Sequence, residues 1–145
     1  MNTTEITEIT EITRKPINEL SKILIGAAIE VHRELGPGLL ESAYEICLCR
    51  ELNLRGIPFE CQKTIPIAYK GVLLDCGYKA DVIVDGSLLV ELKAVDHLAA
   101  IHDAQVLSYL KLSGLSVGLL INFNVRMLRH GIRRKVIGDR DEVSL

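Results

Sequence analysis

Residues 78–95 read YKADVIVDGSLLVELKAV, and their pattern indicates the centre of the fold. Two apolar runs flank Asp85-Gly86, a dipeptide that favours a tight hairpin turn. The run after the turn, residues 88–94, is apolar nearly throughout, as is typical of a strand at the centre of a sheet. Glu91 and Lys93 interrupt this run, and residues two apart on a strand project from the same face.

These charges need an explanation, because charged side chains are rarely buried without a partner. Asp81 lies on the neighbouring strand of the same hairpin. Two carboxylates on adjacent strands form a hard-oxygen site of the kind that Mg²⁺ prefers. A lysine beside them can orient a water, help to deprotonate it, or stabilise charge on phosphorus. The alternative is a structural ion pair between Lys93 and Glu91 or Asp81, and spacing alone favours that alternative.

The register of the hairpin decides whether the two carboxylates share a face. A two-residue loop would place Asp81 opposite Val90, and the two acids would then face opposite sides of the sheet. A three-residue loop over residues 85–87 would instead pair Asp81 with Glu91. We therefore predict the three-residue loop, or a bulge with the same effect, with Gly86 at positive φ.

Periodicity outside the hairpin predicts two helices before it and one after it. Asn18 is a candidate N-cap of the first helix, and Gly114 is expected to end the third. The predicted elements are, in chain order, helices over 18–35 and 39–54, strands over 59–69, 72–84 and 88–94, a helix over 97–112, and strands over 115–123 and 131–137. The order ααβββαββ indicates an α/β domain with a mixed β-sheet flanked by helices.

The length of 145 residues is that of one domain. We expect this domain to span 16–138, with a flexible N-terminal tail at 1–15, where a T-E-I repeat suits neither helix nor strand, and a C-terminal tail at 139–145. No apolar run reaches the roughly 18 residues that cross a bilayer, and the start of the chain is polar and acidic. A cytoplasmic protein without membrane association is therefore expected. Its four cysteines, which include no C-x-x-C pair, are expected to be buried free thiols.

The formal net charge of -2 does not favour a protein whose whole surface binds nucleic acid. Residues 105–138, however, contain no acidic residue, and their basic residues are Lys111, Arg126, Arg129, Arg133, Arg134 and Lys135. Arg133 and Arg134 are candidate phosphate contacts, although such a run is more often a solvated surface. Four Tyr, two Phe and no Trp give little support for a platform that stacks single strands.

Two motifs resemble known families. Asp81, Glu91 and Lys93 form D-x9-E-L-K, followed by Q-x-x-x-Y on the third helix, and this resembles the PD-(D/E)xK nuclease superfamily. The proline of that name is absent, since residues 78–80 read YKA. Residues 38–44 read GLLESAY, which resembles the GxxExxY protein family, a family grouped with these nucleases. The resemblance spans nearly all the chain except the tails and implies a restriction-endonuclease-like fold.

The resemblance also implies roles for single residues. Asp81 and Glu91 match the metal-binding acids, and Lys93 matches the catalytic lysine. Glu41 matches an additional acid beside the metal, and Gln105 matches a glutamine that contacts the site or the phosphate. The implied cofactor is Mg²⁺ or Mn²⁺, and the implied activity is hydrolysis of phosphodiester bonds in DNA or RNA. Three clustered carboxylates repel one another, so we expect at least one to have a raised pKa without metal.

Three secondary candidates lie on the helices. Tyr44 is three residues from Glu41 and can orient its carboxylate, with plain core packing as the alternative. His102 forms a polar stripe with Gln105 and Tyr109, which faces either the site or solvent.

Cutting two strands would need two sites, which a homodimer would supply, but no sequence feature demonstrates a dimer. The alternative function is a non-catalytic nucleic-acid- or protein-binding module that retains the nuclease fold.

Overall fold

The computed structural model describes residues 15–138 of the chain. Its elements are, in chain order, α1 (Ile17–Leu35), α2 (Glu41–Leu54), β1 (Phe59–Thr64), β2 (Ile67–Tyr69), β3 (Val72–Leu74), β4 (Lys79–Val84), β5 (Leu88–Lys93), α3 (Ala100–Ser113), β6 (Val117–Asn122), a 3-10 helix (Leu128–Gly131) and β7 (Ile132–Val136). The tails predicted at 1–15 and 139–145 lie, except for Lys15, outside the described residues. None of the described helices is long and apolar enough to cross a membrane.

Five strands form one mixed sheet in the order β1-β4-β5-β6-β7, and β2 pairs with β3 in a separate hairpin. Within the large sheet β5 and β6 are parallel, while the other three pairs are antiparallel. A parallel pair needs a long crossover, and α3 supplies it. The prediction of an α/β domain with a mixed sheet flanked by helices is confirmed.

The sheet separates two hydrophobic cores, and β5 contributes to both. Leu88 and Val90 pack into the core shared with α1 and α2. Leu89 packs into the core shared with α3. Side chains alternate along a strand, so Glu91 and Lys93 project on the same side of β5 as Leu89. The near-continuous apolar run of β5 therefore reflects burial on both faces, as its sequence predicts.

Two long strands predicted from the sequence are each divided in the structure. Pro66 has no backbone N–H for a ladder, and it separates β1 from β2 within the predicted strand 59–69. The predicted strand 72–84 is divided by a turn in which Gly77, at φ 83°, donates its N–H to the Asp75 carboxylate over 2.9 Å. The prediction of single strands was wrong here, because these local turn signals outweigh the alternating pattern.

The helix starts also differ from the prediction. The N-cap of α1 is Pro16 rather than Asn18, whose side-chain oxygen instead accepts a hydrogen bond from Arg134 over 3.0 Å. The end of α3 before Gly114, at φ 75°, is confirmed. The four cysteines are free, as predicted, but Cys61 and Cys76 are exposed and the other two only half-buried, so the prediction of burial was wrong.

Candidate active site

The β4–β5 hairpin has the predicted register. Val84 pairs with Leu88, so the loop consists of residues 85–87, and Gly86 has φ 65°. The last ladder pair is Val82 with Val90. One step further along this register, Asp81 lies opposite Glu91. The prediction of a three-residue loop that brings the two acids together is confirmed.

At Asp81 and Glu91, side-chain carboxylates accept the hydrogen bonds between β4 and β5, in place of backbone carbonyls. The backbone N–H of Asp81 donates to Glu91 Oε1 over 3.0 Å. The backbone N–H of Leu92 donates to Asp81 Oδ2 over 2.9 Å. In each carboxylate, one oxygen thus accepts a hydrogen bond from the opposite strand, and the second oxygen is left for other partners. The hydrogen bonds also fix the orientation of both groups.

Gln62 borders the other side of Asp81. It lies on β1 between the ladder pairs Cys61–Val82 and Lys63–Ala80. Its side-chain amide donates to Glu45 Oε1 over 2.5 Å and to Asp81 Oδ1 over 3.2 Å. Its backbone has φ 51°, a left-handed conformation that costs a non-glycine residue about 1–3 kcal/mol and is common at functional sites. Sequence analysis missed this residue, because the alternating pattern of β1 does not reveal it.

Glu41 reaches the same place from the first turn of α2. A cavity of about 210 Å³ is lined by Glu41, Glu45, Gln62 and Asp81. The pKa of Glu41 is above its ordinary value, mainly because the group is partly buried. Lys93 opposes this shift, and Asp81 adds to it. The pKa of Glu45 is raised mainly by burial, although its bond to Gln62 opposes the shift. Glu45 was not predicted, but its position four residues after Glu41, on the same helix face, could have indicated it.

Tyr44 is buried in the core, which is one of the two alternatives that the sequence left open. Its hydroxyl donates to the Gly36 carbonyl over 2.6 Å and accepts the Leu39 N–H over 3.1 Å. Its ring stacks on Phe123 with the centroids 4.5 Å apart. It makes no hydrogen bond to Glu41, so of the two alternatives the structure shows core packing and not direct orientation of this carboxylate. Tyr44 instead ties the loop before α2 to the core and so fixes where the helix begins.

Lys93 makes no ion pair with any residue from 15 to 138, so the alternative of a structural pair with Glu91 or Asp81 is not observed. It borders a cavity of about 780 Å³ together with His102, Gln105 and Tyr109. The predicted polar stripe of α3 therefore lies beside the lysine.

Within this stripe, the amide of Gln105 donates to the Tyr109 hydroxyl over 3.1 Å. His102 accepts the Ala99 N–H at Nδ1 over 2.9 Å and so caps α3. Neither Gln105 nor His102 hydrogen-bonds to the carboxylates in the described part of the chain. Gln105 therefore lies on the same side of the site as Lys93.

The basic run near the end of the chain is partly neutralised by α3. Asp103 contacts Arg133 over 2.6 Å and Lys135 over 2.7 Å. Arg133 and Arg134 lie on the edge strand β7, with β6 between them and β5. Sequence analysis noted no acidic residue within this run, and the structure supplies one from a neighbouring element. Arg134 is engaged by Asn18, as described above.

Electrostatics set the acidic cluster apart. We define it as Glu41, Glu45, Asp81 and Glu91. Glu91 is only 3% exposed, and burial, reinforced by Asp81, raises its pKa to about 8. No member of the cluster forms an ion pair within residues 15–138. The expectation that at least one carboxyl has a raised pKa is confirmed.

The donor set of the acidic cluster fits a hard divalent cation, because every side chain offers carboxylate oxygens. The carboxylates of Asp81 and Glu91 are the best placed of these donors, since both groups are already oriented by backbone N–H groups. The residues that the structure describes do not contain a ready-made group of three His, Cys, Asp or Glu that could hold a metal. Glu41 would thus have to rearrange its exposed side chain to complete a three-carboxylate site.

These features agree with the comparison against protein-family models. Residues 18–135 match the model described as the PD-(D/E)XK nuclease superfamily. The match covers most of the chain, and the protein belongs to this superfamily. Searches of the curated proteins and of the solved structures found no match.

Proposed function

We propose that this protein is a nuclease that uses Mg²⁺ or Mn²⁺ to hydrolyse phosphodiester bonds in nucleic acid, and that it is a member of the GxxExxY family. The observation that carries the proposal is the hydrogen-bonded pair of Asp81 and Glu91 beside Lys93, which has no ion-pair partner within residues 15–138. Membership of the superfamily supports the same reaction class. A homodimer and a cytoplasmic location stay predictions from the sequence.

Asp81 and Glu91 would hold the divalent ion, with Glu41 as a third ligand. The bound ion would stabilise negative charge on the phosphoryl oxygens as a Lewis acid. Lys93 projects from the same face of β5 as Glu91, so its ammonium can orient the attacking water and stabilise charge that develops on phosphorus. Glu91 must be ionised to act as a ligand, and its raised pKa means that it holds a proton at neutral pH until a cation displaces it.

The GxxExxY assignment is supported by separate physical roles for the three motif positions. Gly38 has φ 98°, a conformation that favours glycine. Glu41 lines the acidic cavity, and Tyr44 anchors the loop that leads into α2. The motif thus combines one acid at the site with two residues that determine where this acid lies.

The test is cleavage of single- and double-stranded DNA and RNA with Mg²⁺ or Mn²⁺. We expect the wild type to cleave and EDTA to stop it. Lys93→Ala should lose about 100-fold or more, the usual scale for removing a group that assists proton transfer. Lys22→Ala is the matched control, because Lys22 is exposed on α1, and it should cleave like the wild type.

Equal cleavage by Lys93→Ala and the wild type would contradict the role of the lysine. No cleavage of any substrate, together with a melting temperature that does not respond to either ion, would contradict the enzyme. It would favour the non-catalytic binding module.

A further inference from the structure

The cavity of about 780 Å³ that Lys93 borders is much larger than a phosphodiester site requires. One wall is a single face of α3, because Ile101, Gln105 and Ser108 recur at the spacing of one helix face. Tyr78, immediately before β4, also lines the cavity. The volume lies within the range of about 300–1,000 Å³ that is typical of ligand sites.

Tyr78 is an exposed aromatic ring that the protein holds in place. It is 43% exposed, and its ring packs against Tyr109 in a T-shaped arrangement with the centroids 5.9 Å apart. Tyr109 itself is buried and hydrogen-bonded to Gln105. A fixed, partly exposed aromatic side chain is the feature on which nucleobases stack. The chain has few aromatic residues, but it places one in the cavity that Lys93 borders.

Polar groups suited to a nucleotide line the same cavity. Gln105 uses one N–H for Tyr109, so its carbonyl oxygen and second N–H stay free to meet the polar edge of a base. Ser108 adds a hydroxyl to the same helix face. Lys93 and Lys111 border the cavity, and neither forms an ion pair within residues 15–138. Their positive charge complements phosphate.

We propose that this cavity holds an unpaired nucleobase next to the scissile phosphate, stacked on Tyr78, so that the substrate is single-stranded nucleic acid. The inference rests on the proposed function, because Lys93 is what joins the cavity to the cleavage site. A base inside a duplex is stacked and paired, and extruding it costs a few kcal/mol. A strand that is already single avoids this cost.

The test measures binding of fluorescein-labelled oligonucleotides of about 16 nucleotides, with Lys93→Ala as the cleavage-defective background. Adding Tyr78→Ala should weaken single-strand binding by about 5- to 150-fold, which corresponds to the loss of one stacked base. Tyr78→Phe should bind like the background. Tyr69→Ala is the matched control, because Tyr69 is an exposed tyrosine of β2 that does not line the cavity. Duplex binding should not change in any of these variants, and DNA and RNA strands are compared in parallel.

A second measurement uses 2-aminopurine in the single strand, whose fluorescence should be quenched by the background and by Tyr78→Phe but not by Tyr78→Ala. Equal weakening of single-strand and duplex binding, or no weakening, would overturn the inference, and so would failure of all single strands to bind. A change in oligomeric mass without a change in binding would show that a second copy occupies the cavity instead. Metal-dependent cleavage with no effect of Tyr78→Ala would overturn this inference alone, whereas Tyr78-dependent binding without cleavage would overturn only the nuclease.

Discussion

Asp103 and Glu91 are two carboxylates with opposite surroundings. Asp103 contacts Arg133 and Lys135 at 2.6 and 2.7 Å, and its pKa is lowered, chiefly by the hydrogen bond from Lys135. Glu91 has no ion pair within the described part of the chain. Its pKa is raised to about 8, first by burial and then by the neighbouring Asp81.

The difference separates a carboxylate that stabilises the fold from one that is buried without a counter-charge and that we propose as a metal ligand. The Asp103 pairs join α3 to β7 and lower the energy of the folded chain. The acidic cluster has the opposite effect, because the folded chain brings like charges together around one lysine. Perturbation of this kind indicates a functional site, and a divalent cation would relieve it. Each of the following experiments alters one side of this contrast.

The largest expected effect is on the pH dependence of stability without divalent metal. The pKa of Glu91 in the folded chain is about 8, against an ordinary value of 4.5, so the folded state binds this proton more tightly than the unfolded state. Its stabilising contribution is present below pH 4.5 and is lost as the pH rises toward 8. Glu91→Gln should remove this loss and be more stable than the wild type at pH 8.5 by about 5 kcal/mol.

Urea unfolding at pH 5 and pH 8.5 in EDTA would measure this difference. Glu19→Gln, at an exposed position in the first turn of α1, is the control and should follow the wild type. Parallel stability profiles for the wild type and Glu91→Gln would contradict the raised pKa.

The second prediction concerns metal binding. Mg²⁺ at 100 times its dissociation constant would stabilise the folded chain by about 2.7 kcal/mol. Asp81→Asn and Glu91→Gln should abolish the rise in melting temperature, because each removes a charged ligand. Lys93→Ala should keep the rise while losing cleavage, since it leaves the oxygen ligands intact. The measurement is thermal unfolding with and without Mg²⁺ or Mn²⁺, and an unchanged rise in Asp81→Asn would contradict the assigned ligands.

The third prediction tests the anchor before α2. Tyr44→Phe removes the hydroxyl that joins Gly36 and Leu39, and two backbone groups then lose a partner. We expect a loss of about 1–2 kcal/mol in the free energy of unfolding, equal in the presence and absence of Mg²⁺. Chemical unfolding under both conditions measures it. A variant with normal stability that no longer responds to metal would show that Tyr44 acts on Glu41 after all.

The central hairpin was predictable because its constraints are local. Asp85-Gly86 marks the turn, and of two possible registers only the one with a three-residue loop lets Asp81 and Glu91 share a face. That register then brought Asp81 to Glu91, so the centre of the candidate site followed from residues within one hairpin. Superfamily resemblance added Glu41 from a separate helix.

The remaining features depend on tertiary packing that spacing does not encode. Gln62 reaches Glu45 and Asp81 through a left-handed backbone, and glutamine is not one of the residue types that favour this conformation. Asp103 meets Arg133 only because α3 packs across β7, 30 residues away in sequence. The cavity that Lys93 borders depends on the same packing of α3. The few tyrosines of the sequence therefore gave no indication of a stacking site.

The smallest expected effect lies at Asp103, where the carboxylate is stabilised rather than strained. Asp103→Asn keeps the shape of the side chain and removes its charge. The partners are partly exposed, with 44% of the Arg133 and 25% of the Lys135 side chain accessible, so screening limits the loss to about 1 kcal/mol. The pKa of Asp103 is lowered, so its contribution is present above the ordinary value of 3.8 and is lost as the pH falls through the folded value. In urea unfolding, wild type should therefore be more stable than Asp103→Asn at pH 7, and the two should converge in acid. The sign is opposite to that of Glu91→Gln, which is more stable than wild type where the two differ. A difference that persists unchanged at pH 2 would show that packing, and not charge, holds α3 against β7.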